Sequence, residues 1–84
     1  MSTLDNAAGQ AQSAASSVDD VITGLDGVDS ELDDAISQFQ AVGVDDKAAE
    51  AGSAKETAEA LKSQAAALKD GIEALATQIQ AISG

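Results

Sequence analysis

The chain has 84 residues, with 15 acids against four lysines, no Arg and no His, and a formal net charge of −11. Such a balance argues against nucleic acid and anionic membrane surfaces, both of which select basic patches, and the length allows one small domain. Zero Cys excludes disulfides and thiolate metal sites, while zero Pro leaves nothing to interrupt a long helix.

Hydrophobic residues make up 44%, but much of that share is Ala, and Phe39 is the sole aromatic. No apolar run approaches the length of a membrane span, and Ser2 to Ala15 lacks a signal peptide's basic start and apolar stretch. The expectation is a cytoplasmic protein, or one exported without a cleavable signal.

At the start, Ser2 followed by Asp5 fits a helix cap: the hydroxyl accepts free amides, and an acid suits the positive end of the dipole. Apolar residues then recur at alternating steps of four and three: Leu4, Ala8, Ala11, Ala15, Val18, Ile22, Leu25, Leu32, Ile36 and Phe39. A repeat of 3.5 predicts a coiled-coil helix over about 3–41, since a strand needs a period of two. Asp29 is the one lapse. Either it is a buried polar residue that fixes register, or it marks a local opening. The nearby helix-weakening Gly24 and Gly27 favour a kink or soft spot. A complete break into three helices, with Ser30 and Asp33 capping the restart, is the structural alternative.

A turn follows at about 42–45, where Gly43 can take the left-handed conformation that stops a helix and Asp45 or Asp46 can cap the next. The second tract, about 46–82, places Ala51, Ala54, Ala58, Leu61, Ala65, Leu68, Ile72, Leu75, Ile79 and Ile82 on the same alternation. The predicted fold is all-α: a single domain over 1–84, an antiparallel two-helix coiled-coil hairpin with helices roughly 55 Å long.

Two patterns support the pairing. With Ala8 at heptad position a and Ala11 at d, small residues early in helix one oppose large ones late in helix two: Ala8 with Ile79, Ala15 with Ile72, Ala11 with Leu75. The sizes reverse near the turn, at Ile22 with Ala65 and Leu32 with Ala54. Alternating large with small fills a seam without voids. The e positions hold Asp19, Asp26 and Asp33 on helix one, and Lys69, Lys62 and Lys55 on helix two. The same register predicts Asp19–Lys69, Asp26–Lys62 and Asp33–Lys55 pairs.

The opposite flank carries no such charge. Its g column on helix one reads Ala7, Ala14, Val21, Val28, Ala35 and Val42; helix two adds Gly71 and the c column Ala60, Ala67, Ala74 and Ala81. Each helix thus has more apolar columns than a two-stranded seam needs. The surplus is the candidate partner interface, for a helical protein as homo- or heterodimer, and two such faces would close a four-helix bundle.

Chemical sites are poorly supported. Asp19-Asp20, Asp33-Asp34 and Asp45-Asp46 diverge on a helix, and no His, Cys or Tyr completes them. The stretch Asp26-Gly27-Val28-Asp29-Ser30-Glu31 lacks the ligand spacing of a calcium loop. No catalytic, cofactor-binding or metal-ligating residue and no small-molecule substrate is expected, so the chain reads as a non-enzyme.

A short, acidic, Ala-rich chain with two long helices and a glycine turn at its middle resembles the WxG-motif helical-hairpin proteins of type VII secretion. The likeness is architectural and covers nearly the whole chain. In Ala41-Val42-Gly43, Gly43 matches the motif's Gly, Ala41 stands at its Trp, and no Tyr supplies the family's C-terminal Tyr-x-x-x-Asp/Glu export signal. The resemblance implies a small secreted substrate, or a helical companion of a larger secreted protein. A structural, self-assembling coiled coil without a secretion role is the alternative.

Overall fold

The computed structural model describes residues 2–83. Among them are two α-helices and no strand: α1, Thr3–Ala41, and α2, Asp45–Ser83. They pack antiparallel as a hairpin.

The start of α1 is held by a reciprocal cap. The Asp5 amide donates to Ser2 Oγ at 3.1 Å, and the Ser2 amide to Asp5 Oδ2 at 3.4 Å. The helix ends in a Schellman turn. Gly43 takes φ +76°, its amide donates to the Gln40 carbonyl at 3.2 Å, and the Val44 amide reaches back to Phe39 at 2.9 Å. Two orphan carbonyls are thereby satisfied where a left-handed residue is required. The second cap differs from expectation. The Val44 carbonyl accepts from Ala48 at 3.2 Å, and Asp45 and Asp46 stand inside the first turn of α2. There they act on the dipole instead of preceding the helix.

α1 is helical without interruption through Gly24, Gly27 and Asp29, which overturns the three-helix alternative. Nor is Asp29 an opening. Its side chain is only 13% exposed and meets Lys62 at 2.7 Å, so the polar-seam reading replaces the soft spot.

The chain forms two compact units, one spanning Thr23–Ser63 and the other combining 2–22 with 64–83. In the turn unit Ala48 and Ala58 are buried, and Leu25, Leu32, Ile36, Phe39 and Ala51 are half-buried. In the terminal unit Ala8, Ala11, Ala15 and Ala76 are buried beside half-buried Val18, Ile22, Ala65, Ile72 and Ile79. The buried apolar residues of both units are all alanines, and among the described residues no large side chain is fully buried.

This pattern corrects the expected seam of α2. Its a column faces α1 as predicted, but the second inward column is e (Ala48, Lys55, Lys62, Lys69 and Ala76), not d. Leu61, Leu68, Leu75 and Ile82, assigned to the seam by their spacing, are exposed. A physical reason lies in the lysines. Salt bridges to α1 require the e columns to meet, which turns α2 toward e and swings d outward. Lysine stems then cover the seam while their ammonium groups stay wet. Ala76, only 4% exposed, extends that column where a small residue permits close approach.

Candidate protein interface

One edge of each unit is charged. In the terminal unit Lys69 Nζ lies 2.9 Å from Asp19 Oδ1. In the turn unit Lys62 lies 2.9 Å from Asp26, and Lys55 lies 3.6 Å from Asp33. All three predicted pairs form. Lys55 also pairs within α2 with Glu59 at 2.8 Å. Each lysine is held above its ordinary pKa. For Lys55 the leading cause is the hydrogen bond to Glu59, followed by the Asp33 charge. The hydrogen bond to Asp29 leads for Lys62, then that to Asp26. For Lys69 the cause is Asp19.

The other flank is apolar and uncharged across most of its width. Going round a helix from the inward a position, d lies on the side opposite e, followed by g. Since the e columns of both helices meet on one edge, the α2 d column and the α1 g column share the other. In the terminal unit this flank presents Val21 at 54% exposure, Leu68 at 57%, Leu75 at 49%, and Ile82. Ala14 is also exposed there, with Gly71 at its outer rim. Ala67, Ala74 and Ala81 are exposed too, but the c column stands opposite a and e on a helix, so the turn of α2 toward e carries these predicted members to the back. In the turn unit it presents Val28 and Leu61, both exposed; of the other predicted members, Val42 is exposed beyond the end of α1, and Ala60, on the c column, is exposed at the back. Two predicted members differ: Ala7 and Ala35 are half-buried.

The four large residues on the α2 d column were not among the predicted interface positions. Their spacing is that of a seam, and spacing alone does not say whether the seam closes on the same chain or on another. The signal that separates the two readings is the lysine column, because d and e cannot both be central in one two-helix contact.

Other features offer less. The stretch Asp26 to Glu31 is helix, not loop, and among the described residues no group of three or more His, Cys, Asp or Glu is gathered to hold a metal. A shallow cleft beside the Asp19–Lys69 pair is lined by Gln12, Ser16 and Glu73. No described helix is long and apolar enough to cross a membrane. No family model, curated protein or solved structure matches the chain.

Proposed function

We propose that this chain is a helical protein–protein interaction module. Its hairpin docks through the Val21–Leu68–Leu75 flank, and the corresponding Val28–Leu61 patch of the turn unit, against another helical surface. The observation that carries this reading is the reversal of burial on α2: Leu61, Leu68 and Leu75 lie outside while Ala58 and Ala76 are buried in the seam. Burying an apolar side chain of that size stabilises by about 1.5–3 kcal/mol. A hairpin that leaves several about half exposed forgoes part of that stabilisation until a partner covers them. Two hairpins joined in this way make a four-helix bundle.

The finer reading is a small type VII secretion-like substrate, or the companion of a larger secreted protein. Its support is the architecture, two long helices about a Schellman turn at Gly43, where the motif has its glycine.

Circular dichroism over a concentration series, with sedimentation, tests the module. Helicity and melting temperature should rise with protein concentration or with added partner, and Leu68→Asp should remove that dependence. A monomer whose full helicity and melting temperature are independent of concentration and unchanged by Leu68→Asp would overturn the reading. For secretion, the tagged chain should reach the medium only when the export ATPase is intact. Equal release without it would sink that part.

A further inference from the structure

We infer that the apolar flank is covered by a second copy of this chain, with α1 of one copy lying over α2 of the other, layer upon like layer. The inference rests on the interaction-module reading and adds the identity of the partner and the geometry of the contact.

The first support is area. The chain exposes 5426 Å², against about 4,600 Å² for a compact monomer of its mass. The excess, roughly 800 Å², is spread over two helices that no further layer covers, and it is of the order that one partner contributes to a standard interface.

Side-chain volume supplies the second. The register of the ion pairs Asp19–Lys69 and Asp26–Lys62 puts Ala14 level with Leu75 and Val21 level with Leu68 in the terminal unit. In the turn unit it puts Val28 level with Leu61. Within each layer the smaller side chain belongs to α1 and the larger to α2. A two-fold axis parallel to the helices sets the α1 residue of one copy over the α2 residue of the other at the same level. Every large residue then meets a smaller one, as interdigitation requires. An axis perpendicular to the helices stacks α1 on α1 and leucine on leucine, which leaves gaps on one side and crowding on the other.

Charge distribution is the third support. At a net charge of −11, a self-contact is tolerable only if the acids stand away from it. On the flank the α1 c column reads Gln10, Ser17, Gly24 and Gln38, with Glu31 as its one acid, and the α2 g column reads Thr57, Gln64 and Gln78, with Glu50 next to the turn. The remaining acids on the heptad tracts lie on columns toward the seam, the charged edge or the back. Those on the charged edge and the back stand across a helix about 10 Å wide, farther from the second copy than the ~8 Å screening length at physiological salt, and Asp29 at the seam is paired with Lys62. Association should therefore tighten with salt. A basic partner docking on this acidic chain would show the opposite.

Sedimentation equilibrium of the full chain at about 0.01 M and 0.15 M NaCl, joined to disulfide trapping in this Cys-free protein, tests the proposal. We expect a dimer that is tighter at the higher salt and roughly a hundredfold weaker in Leu68→Asp, where a charge would have to be buried. Leu68→Gln should weaken it less. When Val21→Cys and Leu68→Cys chains are mixed and oxidised, the mixed disulfide should dominate. A predominance of the Val21→Cys self-disulfide would overturn the stacking. If the chain stays monomeric and incompletely helical at both salts, the second copy is wrong while a different helical partner still serves the module. A dimer indifferent to Leu68→Asp would overturn the flank itself, and the module reading with it.

Discussion

Lys62 places its ammonium 2.7 Å from Asp29, a carboxylate set at a seam position that every neighbouring heptad fills with an apolar residue. The other Asp29 oxygen, Oδ1, is buried without a hydrogen-bond partner, and Lys62 is shared with Asp26 at 2.9 Å. The two members of the pair therefore depend on each other unequally. Removing the lysine strands a partly buried carboxylate, whereas removing Asp29 leaves the lysine with a partner.

Thermal melts of two variants separate those costs. Asp29→Leu should raise the melting temperature, because it replaces a polar group at the seam with one that packs. Lys62→Met should lower it. If both lower it equally, the pair is a net stabiliser, and the carboxylate is better solvated than its 13% exposure suggests. Asp29→Leu should also broaden the choice of register, detectable as loss of sharp side-chain signals in NMR spectra, since a polar seam position is a device for alignment.

Much of this fold is legible in the sequence. Asp19, Asp26 and Asp33 repeat at the heptad interval, as do Lys55, Lys62 and Lys69, and only one antiparallel register joins all three. Charge of opposite sign carries its partner's address. The apolar positions do not. Leu61, Leu68 and Leu75 satisfy a seam template as well as Ala58, Ala65 and Ile72 do, and a hydrophobic side chain is indifferent to whose surface covers it. Alanine is everywhere in α2, so the burial of Ala76 is visible only as the continuation of the lysine column. The fate of Asp29 was equally undecided by pattern, since a polar lapse reads alike as a break or as a latch until its partner is in view.

Glycine accounts for a second measurable contrast. Gly43 stands at φ +76°, where an L side chain costs about 1–2 kcal/mol, so Gly43→Ala should destabilise by that amount. Gly24 and Gly27 lie inside α1 with open space where a Cβ would project. Replacing each by Ala should stabilise by about 1 kcal/mol, through helix propensity alone. Denaturant titrations at fixed protein concentration would read all three, and a destabilising Gly24→Ala would mean that α1 needs its flexibility there.

The lysine pairs make a pH prediction. Lys55, Lys62 and Lys69 are each raised above their ordinary value by carboxylates, so the folded state binds these protons more tightly than the unfolded chain does. Their stabilising contribution is complete below the unfolded value of 10.5 and disappears as pH rises through the folded values. Melting temperature should therefore be indifferent to these groups across neutral pH and fall above about pH 10.5. Lys62→Met should lose part of that alkaline slope, and an unchanged slope would show that its proton is not linked to folding.

The rotation of α2 toward its lysine column has the sharpest consequence. If a and d faced α1, truncating Leu68 would open a cavity at a cost of about 2–5 kcal/mol, and enlarging Ala76 would merely add to the surface. With a and e inward, the order reverses. Ala76→Leu forces a bulky group into a site that is 4% exposed and should cost about 1–3 kcal/mol. Leu68→Ala, at a position 57% exposed, should cost well under that when measured at dilutions low enough to hold the chain monomeric. At higher concentration the Leu68→Ala penalty should grow, because the leucine is then covered by association, while the Ala76→Leu penalty persists at every concentration. Equilibrium unfolding at two concentrations distinguishes the two orientations. A large, concentration-independent loss from Leu68→Ala, together with a tolerated Ala76→Leu, would return the leucines to the intramolecular seam and leave the docking flank without its principal side chains.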